Sequence, residues 1–326
     1  MMRRVLLTMA CMAVLTGALA GATPALAQGL NARPIQFLIP YPPGGGGDTL
    51  GRLVAQKLAD VAGTSVVVEN KPGAGGMIGT EAAARAPGDG YTLMLGTPSP
   101  LTVVPSMLKK MPYDVARDLA PVTLITILPG VVLVNNAVPA NSLPELIALA
   151  RAKPGKLNYG SSGNGGSGHL SGLMLANMAN LQMVHVPYKG TGPALTALMG
   201  GEIEVFMSDM TAALPQIRAN RVRALAVTSK ERSSALPNVP AVGETVTGFA
   251  AGPFYGILAP GTTPREIVQR RRNEIVQVLN LPDVKARIQR DGGEVIGSTP
   301  DEFSSLIKAE TARWAQVLKD ANFKIE

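Results

Sequence analysis

The chain has one cysteine in 326 residues, two histidines, one tryptophan and aromatic residues at only 4%. Each shortage excludes something. The single cysteine is Cys11, inside the leader described below, so no disulfide framework staples the exported part and a hydrophobic core has to hold it. Two histidines, His169 and His185, are too few for a histidine-rich metal site, and no metal or cofactor is expected. So few aromatics cannot supply stacking platforms for nucleic acid. The densest basic run, Arg270-Arg271-Arg272, lies inside a helical pattern and reads as a solvated helix face. Beyond the leader no apolar run is long enough to span a bilayer, which predicts a soluble protein.

The leader is itself legible. Arg3 and Arg4 precede an apolar run from Val5 to Ala20, and Ala25-Leu26-Ala27 is a small-residue cleavage signal. Residues 1–27 therefore read as a secretory signal peptide, with a mature chain of 299 residues starting at Gln28. The run is short for a membrane anchor, and too little of it precedes Cys11 for a lipid-attachment site. A large cysteine-free exported chain suits the bacterial periplasm. Removing Arg3 and Arg4 leaves 28 Lys+Arg against 23 Asp+Glu, a net charge of +5 that suits an anionic ligand.

Two stretches share one construction. Ile35 to Pro40 reads as a strand, Tyr41-Pro42-Pro43-Gly44-Gly45-Gly46-Gly47-Asp48 as a loop, and Thr49 onward as a helix. Lys156 to Gly160 is again a strand signal, followed by Ser161-Ser162-Gly163-Asn164-Gly165-Gly166-Ser167-Gly168-His169 and a helix from about Leu170. A strand, a glycine-rich turn and a helix N-terminus make an anion site: the first helical N–H groups lack intrahelical partners, and the helix dipole favours negative charge there. Ser161, Ser162, Asn164 and Ser167 add side-chain donors. Two such loops facing each other would grip a small anion from both sides.

Strand-like and helix-like stretches alternate along the rest, which argues for mostly parallel sheets flanked by helices. Ser65 to Glu69 and Tyr91 to Gly96 continue the first series, and the latter ends near Thr97 and Ser99. The apolar run Leu119 to Leu128 and the break Pro129-Gly130 mark a crossing into a second series, which closes with the strand Arg223 to Thr228. The chain then returns through the strand Phe254 to Pro260 and ends in a helix carrying Trp314. The expected layout is residues 28–129 and 229–326 as a discontinuous first domain and residues 130–228 as a second, with two crossings making a hinge. No internal sequence repeat is visible.

Enzyme signatures fail in turn. Gly163 to Gly168 matches G-x-G-x-x-G, but no acid follows at the distance a dinucleotide ribose needs. There is no G-x-x-x-x-G-K-[ST]. G-x-S-x-G is missed at Gly165-Gly166-Ser167-Gly168-His169, where Ser167 beside His169 is the one local candidate for a nucleophile and base. His169, in the first turn of the loop helix, is expected to bond loop backbone or ligand. His185, in an apolar strand, is expected to be a structural core residue.

The residues then meet a family pattern. Tyr41 to Asp48, Asn70-Lys71-Pro72-Gly73-Ala74-Gly75-Gly76-Met77-Ile78-Gly79, Leu157 to Gly163, His169-Leu170, His185-Val186-Pro187-Tyr188-Lys189-Gly190, Arg223 to Thr228 and Tyr255 to Pro260 occur in this order. Together they resemble the Bug-type periplasmic solute-binding receptors of tripartite tricarboxylate transporters, over nearly the whole mature chain. The resemblance implies an α/β fold, a two-domain periplasmic binding protein of the Venus-flytrap kind, type II-like. It implies no enzyme activity and no cofactor. It further implies a monomer in the periplasm that holds a small carboxylate (a dicarboxylate, tricarboxylate, acidic amino acid or aromatic acid) and passes it to membrane transporter subunits. By resemblance and by the anion-site reading, the ligand-binding residues are Tyr41, Gly45, Gly46, Gly47, Asp48, Thr97, Ser161, Ser162, Gly163, Asn164, Ser167, His169 and Asp209. Asp48 either caps the first helix or touches ligand. Asp209 either caps the next helix or, as in amino-acid-binding members, meets a ligand ammonium. Four consecutive glycines at Gly44 to Gly47 depart from the commoner family loop, which carries bulkier residues before the aspartate. Alternative readings are a ligand receptor for a sensor protein and an exported hydrolase.

Overall fold

A computed structural model of the chain describes residues 33–108 and 110–320. The leader, Cys11 and the Gln28 start lie outside the described residues. In chain order the strands are β1 (Ile35–Ile39), β2 (Val66–Asn70), β3 (Thr92–Gly96), β4 (Leu119–Ile127), β5 (Gly130–Val134), β6 (Leu157–Ser161), β7 (Met183–Pro187), β8 (Val205–Asp209), β9 (Arg223–Val227) and β10 (Phe254–Pro260). The helices are α1 (Gly46–Ala62), α2 (Met77–Ala84), α3 (Val104–Met107), α4 (Val115–Asp118), α5 (Leu143–Ala152), α6 (Ser167–Met178), α7 (Thr191–Gly200), α8 (Met210–Arg218), α9 (Arg265–Leu279), α10 (Pro282–Arg290) and α11 (Pro300–Asp320).

The strands form two five-stranded sheets, ordered β2-β1-β3-β10-β4 and β7-β6-β8-β5-β9. The two orders are the same pattern, with β6 to β9 standing where β1 to β4 stand and β5 standing for β10. In each sheet four strands run one way. The fifth, β10 or β5, is antiparallel to both neighbours. The expectation of mostly parallel sheets therefore holds for strand direction, while two of the four neighbour pairs in each sheet are antiparallel. The cause is the crossing. A chain arriving from the other sheet enters at the cleft end, so its first strand there runs away from the cleft. β5 starts opposite Asp209, the last residue of β8, and β10 starts beside the end of β4.

Helices cover both faces of each sheet. Leu50, Val54 and Leu58 of α1 pack with Ile275 and Leu279 of α9 against Phe37 and Ile39, and Phe303 and Ile307 of α11 pack on the other face against Leu38 and Met94. In the second sheet Leu146 of α5 and Leu170 and Met174 of α6 cover one face; Leu198 of α7 and Leu214 of α8 cover the other. Val242, Val246 and Phe249 still lean on the second core, and so do Trp314 and Leu318 near the end of α11, so the C-terminal helix touches both halves.

Ser142 caps α5, accepting from Glu145 N–H at 3.3 Å. The basic run on α9 is not a solvated face. Arg271 is fully buried, donating from Nε to Gly90 O at 2.9 Å and pairing with Glu274 at 2.6 Å. Arg272 donates to Ser298 O and Gly297 O, and Arg270 pairs with Glu274 at 3.0 Å. Arg271 thus ties the returning chain to Gly90, while Arg270 and Arg272 bond within the returning segment.

Candidate functional site

The C-terminal ends of β1, β3, β6 and β8 face one another, and between them lies a cavity of about 160 Å³. Ligands of open α/β sheets sit at such strand ends, where loops lead into helix N-termini. Of the thirteen candidate residues, nine line the cavity: Tyr41, Gly45, Gly46, Gly47, Asp48 and Thr97 from the first half, and Ser162, Ser167 and Asp209 from the second. Ser161, Gly163, Asn164 and His169 do not.

The units β1–α1 and β6–α6 are built alike, although the loop between strand and helix has six residues in the first (40–45) and five in the second (162–166). The aromatic third residue of each strand, Phe37 or Tyr159, packs beneath the sixth residue of the following helix, which is Gly51 or Gly172. The third residue of each helix reaches back to a loop N–H four residues earlier. Gly44 N–H donates to Asp48 Oδ2 at 3.0 Å, and Gly165 N–H donates to His169 Nδ1 at 3.0 Å. Each bond satisfies a loop donor that would otherwise have no partner.

The two carboxylates of the lining are both committed. Asp48 accepts from Gly44 N–H, from Asn70 Nδ2 at 2.8 Å and from Arg52 Nε at 3.0 Å. Burial works to raise its pKa, but the bonds from Asn70, Gly44 and Arg52 outweigh it and hold the carboxyl below its usual range. Asp209 caps α8, accepting from Ala212 N–H at 3.0 Å, and also accepts from Thr191 Oγ1 at 3.2 Å. Burial raises its pKa against those bonds. Tyr41 and Thr97 satisfy one another, hydroxyl to hydroxyl at 2.6 Å, and burial of Tyr41 pushes its phenol up to about 12. Ser99 donates to Gly75 O. The Ser162 and Ser167 hydroxyls have no hydrogen bond among the described residues, and Lys189, at the cavity edge, has no ion pair there. The polar groups left open to a ligand can therefore all donate.

Of the four candidates outside the lining, Ser161, Gly163 and His169 bond within the loop. Ser161 is fully buried; its Oγ donates to Gly163 O, accepts from Gly163 N–H, and lies 2.7 Å from His185 Nε2. The His185 ring stacks on His169 at 3.8 Å between centroids and 8° between planes. His185 is half-buried on the edge strand β7, not a core residue. Burial takes His169 down to about 4; burial and the neighbouring His169 take His185 down to about 3, so both rings are neutral. Gly163 has φ +143°, which only glycine adopts without strain. Asn164 meets the other half: its carbonyl lies 3.0 Å from where a Cβ on Gly75 would stand.

A third loop went unnoticed in the sequence. Lys189, Gly190, Thr191, Gly192 and Pro193 line the cavity together with Ser99, Pro253 and Tyr255. Tyr188 N–H donates to Ser161 O and Gly190 N–H to Ser162 O, which ties this loop to the β6–α6 turn and brings the start of α7 to the cleft. Its signal was available. A strand, a glycine and a helix start stand in Met183 to Thr191 as they do in the other two loops.

Nucleophilic chemistry finds no support. His169 Nδ1 is taken by Gly165 N–H, so it does not activate Ser167 from that nitrogen. The Ser161–His185 pair is in hydrogen-bond reach, but Ser161 is fully buried and outside the cavity. No group of three or more His, Cys, Asp or Glu residues able to hold a metal ion occurs among the described residues.

The family model for the tripartite tricarboxylate transporter family receptor matches residues 50–323. The chain belongs to this family. Protein BugT of Bordetella pertussis is 37% identical over 94% of this chain and 94% of its own. Among solved structures, a Rhodopseudomonas palustris protein with adipate is similar at a TM-score of 0.86 and 32% identity, covering 90% of this chain and 99% of that one. The periplasmic binding protein BugD matches at 0.85 and 31%, covering 90% and 99%, and MatC of Rhodopseudomonas palustris with malate at 0.83 and 30%, covering 88% and 99%. As a receptor of this family the chain has a two-domain periplasmic-binding-protein fold, with the cavity between its two sheets.

Proposed function

We propose that the chain is a periplasmic receptor that captures a small carboxylate between its two halves and delivers it to the membrane subunits of a tripartite tricarboxylate transporter. The observation that carries this reading is the polarity of the cavity's open groups. Its own carboxylates, Asp48 and Asp209, are occupied by protein donors, while Ser162, Ser167, Lys189 and the N-termini of α6 and α7 remain to face a ligand. That set suits an anion and offers no free acid for a cation. The adipate and malate held by two structural relatives support the same class. The reading includes a leader at 1–27, a monomer without catalytic activity, and a division into residues 28–129 with 229–326 against 130–228. In that division, Val242 to Phe249 and the end of α11 lean on the second half.

The test is a thermal-shift panel on the mature protein, with adipate, malate, citrate, benzoate and glutamate beside their uncharged amides. A ligand that binds only the folded state raises the melting temperature, by about 2.7 kcal/mol of stabilisation at a hundredfold excess over its Kd. At least one carboxylate is expected to shift the transition, and its amide is not. A panel in which amides shift it as much as the acids would contradict anion capture.

A further inference from the structure

We propose that Asp209 is a latch between the two halves, a positioning residue whose carboxylate helps hold the cleft shut through protein groups alone. From its own half it is fixed by the N–H of Ala212, the third residue of α8, and by the Thr191 hydroxyl. From the other half it meets the first residue of α1. A Cβ built on Gly46 would stand 2.7 Å from Asp209 Oδ1 and 3.1 Å from its Cγ. The starts of α1 and α8 come together at this point. Two helix N-termini, each carrying about half a positive charge, repel one another across a cleft. A carboxylate lodged between them attracts both; burial raises its pKa, and the bonds from Ala212 N–H, Thr191 and Gly46 N–H work against that rise.

The contact also gives the glycine run a reason. Any side chain at position 46 would enter the space the carboxylate occupies. Nearby, Gly45 sits with its Cβ position 3.7 Å from Thr191 Oγ1, which the latch also uses. Closure of the cleft thus has two contributions, one from a ligand and one from the chain. The chain's own part raises the population of the closed form and with it the apparent affinity for anything that binds that form.

The inference concerns the same cleft as the proposed carboxylate capture but is tested without any ligand, so either can fail alone. Small-angle scattering is recorded on mature wild type, Gly46→Ala and Asp209→Ala, with circular dichroism as the folding control. Gly46→Ala leaves the α8 cap in place, so it reads the latch even if Asp209→Ala unsettles that helix. Ligand-free wild type is expected to scatter as the closed structure does. Both variants are expected to show a radius of gyration larger by a few per cent of the roughly 19 Å expected of a compact chain of this length. Gly46→Ala as compact as wild type, or wild type already as expanded as the variants, would overturn the latch.

Discussion

The units β1–α1 and β6–α6 hold matching places in the two sheets, and at the third residue of each helix they make the same back-bond with different chemistry. Asp48 makes it with a carboxylate, His169 with a neutral imidazole. The carboxylate, joined by Asp209 across the cleft, already neutralises the start of α1. The imidazole satisfies its loop donor and adds no charge, so the start of α6 keeps its positive end for an anion from outside. In the proposed reading, one unit is part of the frame and the other the seat. The difference lies in Asp48 against His169, in Asp209 facing Gly46 from across the cleft, and in a loop one residue shorter before α6.

The largest effect expected from breaking this comparison is on stability. At the two matching glycines, a Cβ on Gly172 would lie 2.3 Å from the Tyr159 ring, which is held on several sides, whereas a Cβ on Gly51 would meet the tip of Ile39 at 2.8 Å. Gly172→Ala should cost about 1–3 kcal/mol or more from overpacking. Gly51→Ala, where Ile39 can rotate away, should stay within about 1 kcal/mol of neutral because Ala gains helix propensity. Urea denaturation of the two variants measures both; equal costs would mean that the second unit is not the more tightly seated.

Acid should act on the second unit first. His169 and His185 are depressed to about 4 and about 3 in the fold from an ordinary value of 6.5. Below pH 6.5 the unfolded chain takes up protons that the folded chain refuses, so stability falls as pH drops from 6.5 toward those values. The loss approaches about 1.4 kcal/mol per pH unit for each ring. Asp48 is held low and keeps its contribution until far more acid conditions. Unfolding curves at pH 7 and pH 5 should differ, and His185→Gln should shrink the difference; a slope unchanged in that variant would remove the pair from the explanation.

A smaller effect is expected on binding. Ser162→Ala removes one uncommitted hydroxyl beside α6 and should weaken the bound carboxylate tenfold to a hundredfold, the worth of one charge-assisted bond, about 1.5–3 kcal/mol. Thr97→Val, in the first unit, removes a hydroxyl already bonded to Tyr41 and should matter less for affinity. Calorimetric titration of both variants would reverse the assignment of seat and frame if Thr97→Val were the weaker binder.

Much of this was readable from the sequence because the glycine-rich loops stand directly between strand and helix signals, and that local pattern is what makes an anion site. The two sheets' shared topology was not readable. Phe37 corresponds to Tyr159 and Asp48 to His169, so equivalent jobs fall to unlike residues and no repeat appears in the letters. The commitments of Asp48 and Asp209 were not readable either. Arg52 is four residues from Asp48 on the same helix, but Asn70 comes from another strand, Thr191 from another helix start and Gly46 from across the cleft. Ser161 looked like a donor to ligand because its type allows it; its hydroxyl bonds Gly163 O within the loop instead.

The central claim is that neutral His169, in the first turn of α6, marks the anion seat. The most direct test is the affinity of His169→Asp for whichever carboxylate stabilises the wild type, with His169→Asn as the neutral control and circular dichroism to verify the fold. A fixed negative charge at the start of α6 should abolish measurable binding or reduce it by at least a hundredfold, while the Asn variant retains binding within about tenfold. A folded His169→Asp protein that binds the carboxylate as tightly as wild type would place the seat elsewhere and contradict the account.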